Sequence, residues 1–62
     1  MVTLPTEAAE DGGALIRNLV AAGMDCARIN CAHDSHEVWD AMISYIRQAE
    51  AETGHHCKVY MD

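Results

Sequence analysis

The sequence predicts an α/β fold in the order β-α-β-α-β, with parallel strands. Short β-prone runs alternate with helical stretches, and the connections between them are only a few residues long. Strands joined through a helix run parallel, and such crossovers are right-handed. A parallel sheet needs cover on both faces or closure into a barrel, which three strands and two helices do not supply. We therefore expect residues 1–62 to form a single, partial domain of something larger.

The first strand is predicted at residues 1–4, before Pro5, and the first helix is predicted to begin with a weak first turn that contains Gly12 and Gly13. Asp11 is the expected N-cap of this helix. Gly23 is expected to adopt the left-handed conformation that ends it, with Met24 folding back onto the helix. Four apolar residues recur at the spacing of one helix face: Leu15, Ile16, Leu19 and Val20.

The second strand, second helix and third strand complete the unit. Residues 26–31 form the second strand candidate, with Arg28 and Asn30 on one face. The second helix is expected to begin after Ser35 and to end at Gly54, and the third strand covers residues 56–62. The apolar stripe of the second helix consists of Val38, Trp39, Met42, Ile43, Ile46 and Ala49. Its opposite, solvated face carries Glu37, Asp40, Gln48, Glu50 and Glu52.

Composition excludes several classes of function. Ten acidic residues against four basic ones give a net charge of −6, which argues against a nucleic-acid partner because such binding depends on Lys and Arg. No apolar run has the length of a membrane span and no signal-peptide layout is present, so we expect a cytoplasmic protein without a membrane partner. Three cysteines inside the predicted strands favour packed thiols over disulfides.

Polar residues cluster where the predicted strands end. These residues are Thr3, Arg28, Asn30, His33 and Asp62, and Pro5 stands with Thr3 at the end of the first strand. Ligands of α/β proteins bind at this edge of the sheet. Arginine suits phosphate oxygens, while amide and carboxylate oxygens suit an alkali or alkaline-earth cation. The pattern indicates a phosphate-plus-cation site, but Arg28 could equally form a structural ion pair with Asp25, Asp34 or Asp62.

Residues 22–33, AGMDCARINCAH, resemble the pyruvate kinase segment AGM-[ND]-V-AR-[LI]-N-F-S-H. The similarity continues through residues 46–49, which match I-R-x-A, and residues 59–62, which end in the Asp of the third strand. Residues 2–5, VTLP, resemble the first-strand motif A-T-I-G-P. The resemblance implies the first three strands and two helices of a TIM (β/α)8 barrel.

The resemblance also implies an activity for the parent enzyme. Pyruvate kinases are glycolytic transferases that move phosphate between phosphoenolpyruvate and ADP, giving pyruvate and ATP, with magnesium and potassium. Arg28 matches the catalytic arginine that contacts the transferred phosphate. Asn30 and Asp62 match ligands of the monovalent cation. The positions that line the nucleotide site correspond to Thr3, Pro5, Asn30 and His33.

The sequence departs from the family pattern at three places. Ala32 replaces a serine whose hydroxyl binds potassium, and a methyl group cannot coordinate a cation. Cys31 replaces an aromatic residue, and residues 4–7, LPTE, replace the I-G-P-[AS]-S turn beside the nucleotide. These changes indicate a divergent branch in which potassium dependence is weakened.

Residues beyond this segment would supply the family's catalytic lysine and magnesium carboxylates. The 62-residue segment is therefore expected to be inactive alone. Two alternatives remain open at this stage: a non-catalytic module that binds a nucleotide or phosphate, and a related barrel enzyme that acts on phosphoenolpyruvate or pyruvate. Because strand residues such as Val2 and Val59 would lie on unpaired edges, we also expect self-association through those edges.

Overall fold

The chain folds in the predicted β-α-β-α-β order, with strands shorter than the sequence suggests. A computed structural model describes residues 1–32 and 35–62. Its elements are β1 (Val2–Thr3), a 3-10 helix (Thr6–Ala9), α1 (Ala14–Ala21), β2 (Cys26–Ile29), α2 (His36–Thr53) and β3 (Lys58–Met61). The α/β class, the order of the elements along the chain and the parallel pairing of the strands are confirmed.

Strand β2 lies at the centre of a three-stranded parallel sheet, between β1 and β3. Its Arg28 is in register with Thr3 on one side and with Tyr60 on the other. The pairing continues beyond the strands, because the Asp62 N–H donates to the Ile29 carbonyl at 2.9 Å and the Cys31 N–H donates to the Asp62 carbonyl at 2.9 Å. These bonds join the carboxyl ends of β2 and β3 into one edge.

Both helices cover the same face of the sheet. They pack against each other, and they share one core with Ala27 and Ile29, which are fully buried on β2. Side chains alternate between the two faces of a strand, so Cys26 and Arg28 lie on the opposite face, where they are only partly buried. Successive right-handed crossovers in one direction account for this arrangement.

The predicted end of α1 is confirmed, and its start is corrected. Gly13, with a φ of 89°, occupies the N-cap position that the sequence assigned to Asp11. The Asp11 carboxylate nevertheless accepts the N–H groups of Gly13 and Leu15, each at 3.0 Å. At the other end, Gly23 has a φ of 108°, and the Met24 N–H donates to the Leu19 carbonyl at 2.9 Å, as in a Schellman motif.

Helix α2 begins and ends where the sequence predicts. Ser35 occupies the N-cap position, although its side chain makes no capping hydrogen bond and its carbonyl accepts the Trp39 N–H at 3.1 Å. Gly54 ends the helix in the left-handed conformation, with a φ of 74°. No helix among the described residues is long and apolar enough to cross a membrane.

A 3-10 helix after Pro5 was not predicted. The Pro5 carbonyl accepts the Ala8 N–H at 3.0 Å, which closes its first turn. Ala8 is fully buried, and the segment packs against α2. This short helix therefore closes one end of the core between β1 and α1.

We predict that Gly13→Ala destabilises the fold more than Gly12→Ala. Both glycines have positive φ values, of 89° and 71°, so either alanine costs about 1–2 kcal/mol of backbone strain. At Gly13 the new Cβ would also lie 2.8 Å from Cδ1 of Tyr45, whereas at Gly12 nothing lies within 4 Å. Overpacking of this kind typically costs a further ~1–3 kcal/mol. Urea unfolding followed by circular dichroism measures both losses, and equal losses would contradict the contact with Tyr45.

Candidate phosphate-binding site

Arg28 connects all three strands at the carboxyl edge of the sheet. Its Nη2 forms an ion pair with Oδ2 of Asp62, which follows β3. Its Nη1 donates to Oγ1 of Thr3 on β1 at 3.4 Å. The structure therefore brings together three of the predicted site residues.

The sequence left three carboxylates as possible ion-pair partners of Arg28, and the structure shows which of them it contacts. Asp62 is its partner, whereas Asp25 precedes β2 and so lies at the amino end of that strand. Asp34 lies outside the described residues. The side chain of Arg28 is 29% exposed and that of Asp62 is 43% exposed, so the guanidinium is both paired and accessible to a ligand.

Of the remaining predicted site residues, the structure describes Asn30 and Pro5, and neither is hydrogen-bonded to Arg28. Oδ1 of Asn30 accepts the Ala32 N–H at 3.1 Å, so the amide is bonded within its own turn. Pro5 is exposed and precedes the 3-10 helix. His33 lies outside the described residues.

The chemistry of this edge suits an oxyanion better than a cation. A guanidinium has five N–H donors, and the contacts to Thr3 and Asp62 engage one each. Within residues 1–32 and 35–62, no group of three or more His, Cys, Asp or Glu is arranged to hold a metal ion. The residues present can therefore bind phosphate oxygens through Arg28.

A second polar cluster, at the amino end of β3, was missed. Glu50, which the sequence placed on a solvated face, is only 16% exposed. One carboxylate oxygen accepts the backbone N–H of Cys57 at 2.7 Å and lies 3.0 Å from Nδ1 of His56. The other pairs with Arg47 at 2.8 Å. These contacts connect the last turns of α2 to the segment that leads into β3.

The electrostatics of the second cluster follow from these contacts. The hydrogen bond from the Cys57 backbone, followed by that from Arg47, lowers the pKa of Glu50. Burial, assisted by the charge of Glu50, raises the pKa of the Cys57 thiol. A hollow beside the cluster is lined by Arg47, Glu50, Ala51, Gly54, His55 and His56. Because these contacts join α2 to the segment before β3, we interpret the cluster as structural.

All three cysteines are free, as their positions suggested. Cys57 is buried, and Cys26 and Cys31 are partly buried. Cys31 Sγ lies 3.8 Å from the Ile29 carbonyl. The thiols therefore pack within or beside the strands.

Ligands of α/β proteins bind outside the carboxyl ends of parallel strands, which is where this β-α-β-α-β unit carries its accessible arginine. The chain is similar to pyruvate kinases. It is 40% identical over 47 residues to pyruvate kinase 1 of Trypanosoma brucei brucei. It is 42% identical over 48 residues to a cytosolic pyruvate kinase isozyme of Nicotiana tabacum, and 38% identical over 47 residues to a pyruvate kinase of Leishmania braziliensis.

These relatives confirm the resemblance to the pyruvate kinase family. The aligned residues make up 76% of this chain in the trypanosomal match and 77% in the tobacco match. The chain covers only 9% of the length of each of these two enzymes, and 52% of the Leishmania sequence. No family model and no solved structure matches. The alignment covers 47 of the 62 residues of this chain, so it includes the central Arg28 wherever it begins.

We predict that the free energy of unfolding falls less in acid for Glu50→Gln than for the unmodified chain. The folded-state pKa of Glu50 lies below its ordinary value of 4.5. Its carboxylate therefore stabilises the fold above about pH 4.5, and this contribution is lost as the pH falls through the lowered value. Urea unfolding between pH 7 and pH 3 should show a smaller decline in the variant.

Glu52→Gln is the matched control, since Glu52 is exposed two residues further along α2. It should retain the decline of the unmodified chain. If Glu50→Gln and the unmodified chain declined in parallel, the contacts of Glu50 would not contribute to stability.

Proposed function

We propose that this chain is a segment of a pyruvate-kinase-like phosphotransferase. The observation that carries the proposal is Arg28, which lies at the carboxyl edge of the sheet within the segment that aligns with pyruvate kinases. In the whole enzyme, residues 1–62 would form the first three strands and two helices of a TIM barrel, as one partial domain. The reaction would transfer phosphate between phosphoenolpyruvate and ADP, giving pyruvate and ATP, in glycolysis and in the cytosol.

Arg28 is the residue to which we assign catalysis. Its remaining N–H donors would contact the transferred phosphate and neutralise charge as it develops, which is how proteins catalyse phosphoryl transfer. Thr3, Pro5, Asn30 and His33 would line the nucleotide site. Bound magnesium would neutralise the phosphate oxygens of the substrates.

The segment by itself should not catalyse the reaction. Phosphoryl transfer requires in-line positioning and metal-assisted neutralisation of charge. Asp62 is the one carboxylate that contacts Arg28 among the described residues, and it is already paired. The catalytic lysine and the magnesium carboxylates would come from other strands of the parent barrel.

We predict that this segment supports activity in a chimeric enzyme, and that Arg28→Ala removes it. The 48 residues of the tobacco enzyme that align would be replaced by those of this chain. Loss of one transition-state donor typically costs about 100- to 1,000-fold in kcat. Phosphoenolpyruvate-dependent formation of ATP measures the effect.

Arg17→Ala is the control, because Arg17 is exposed on α1, where its Nη1 donates to the Gly12 carbonyl at 3.2 Å. It should leave the rate unchanged. A folded chimera without activity would reject the proposed function and favour a non-catalytic module that binds phosphate or a nucleotide. An active chimera that tolerates Arg28→Ala would remove Arg28 from the site.

We predict that the chimera depends less on potassium than the tobacco enzyme does. Ala32 offers no side-chain oxygen where pyruvate kinases have a ligating serine, and Ala32→Ser should therefore increase the activation by potassium. Rates would be compared in potassium chloride and tetramethylammonium chloride at equal ionic strength. Ala21→Ser, at an exposed position of α1, is the control, and strong activation of the unmodified chimera would contradict the prediction.

We also propose that the segment self-associates when it stands alone. The outer edges of β1 and β3 have no strand partner in the described sheet. Exposed apolar side chains lie there, including Met1 at 73%, Tyr60 at 50% and Met61 at 42% exposure. Unpaired edges of this kind are templates for pairing with another strand, which the neighbouring strands of a complete barrel would otherwise provide.

A further inference from the structure

We infer that Asp62 and Thr3 are positioning residues that orient Arg28, and that the Arg28 guanidinium, rather than a bound monovalent cation, neutralises the Asp62 carboxylate. The inference rests on the proposed function in one respect, since Arg28 is taken there as the group that binds phosphate oxygens. The pairing itself is independent of the reaction.

The strand ladder places both partners of Arg28. Asp62 is held by two backbone hydrogen bonds to the β2 segment, one to the Ile29 carbonyl and one from the Cys31 N–H, each 2.9 Å long. Thr3 is the register partner of Arg28, and the Leu4 N–H donates to the Arg28 carbonyl at 3.0 Å. The hydroxyl and the carboxylate are therefore positioned by the sheet, not by flexible loops.

The two contacts hold the guanidinium by different nitrogens. Nη2 is bonded to Asp62 and Nη1 to Thr3, which restricts rotation of the planar group. Three of its five N–H donors remain for an oxyanion. Because the fork is already oriented, less conformational entropy is lost when phosphate oxygens bind.

The side-chain oxygen atoms at this edge that the sequence assigned to a cation are already engaged by N–H donors. Here the Asp62 carboxylate is paired with Arg28, the Asn30 amide oxygen accepts the Ala32 N–H, and Ala32 has no side-chain oxygen. The positive charge beside Asp62 is thus supplied by the chain itself.

Nuclear magnetic resonance of the isotopically labelled chain tests the pairing directly. At low temperature, the Nη–H groups of Arg28 should give separate resonances, because its guanidinium cannot rotate freely. Asp62→Asn should merge them into one averaged signal. Asp25→Asn, with the same change of charge at the other end of β2, should leave them separate.

The amide resonance of Cys31 shows whether Asp62→Asn keeps the pairing of β2 with β3. If that resonance moves to its unfolded position, Thr3→Val provides the second test, and it should speed the averaging on the Nη1 side alone. Separate Arg28 resonances in a folded Asp62→Asn chain, or no change in Thr3→Val, would overturn the inference.

A potassium titration tests the second half of the inference. Potassium chloride and N-methylglucamine chloride should shift the Asp62 Cγ resonance equally, as an effect of ionic strength. A saturable shift seen only with potassium would overturn it. Neither measurement involves a nucleotide or turnover, so an inactive chimera would reject the proposed function without altering this result.

Discussion

The structure depends on the pairing of β2 with a strand on each side. Its register places Ala27 and Ile29 against the helices and Arg28 on the other face, between Thr3 and Tyr60. A slip of one residue would exchange the two faces of the strand. Arg28 would then enter the apolar core and Ile29 would face outward. The burial of the core therefore fixes the position of the arginine at the carboxyl edge.

The two ends of the sheet each carry an arginine–carboxylate pair, but burial gives the pairs different roles. Glu50 is 16% exposed and accepts a backbone N–H, so losing its charge weakens a charge-assisted hydrogen bond to the backbone. Asp62 is 43% exposed and contacts only a side chain through its carboxylate. The first pair joins α2 to β3, whereas the second presents a guanidinium to ligands. One end stabilises the unit, and the other is available for binding.

Patterns that depend on local chemistry could be predicted, and contacts between distant segments could not. Gly23 and Gly54 end their helices as expected because each adopts a backbone conformation that other residues avoid. The carboxyl-edge cluster followed from strand order alone. The role of Glu50 was not predicted, because its hydrogen bond to the Cys57 N–H, seven residues further on, depends on the path of the chain between α2 and β3. The 3-10 helix was missed because its burial of Ala8 depends on packing against α2.

The exposure of the Arg28–Asp62 pair explains why its role is orientation and not stability. Ion pairs between side chains that are 29% and 43% exposed are screened by water, and such pairs typically contribute about 0–1 kcal/mol. Geometry is less affected by this screening, since the sheet fixes the backbone at both ends of the contact. A pair with little effect on folding can therefore keep a guanidinium in one orientation. That property is useful where an oxyanion must be met by several N–H donors at once.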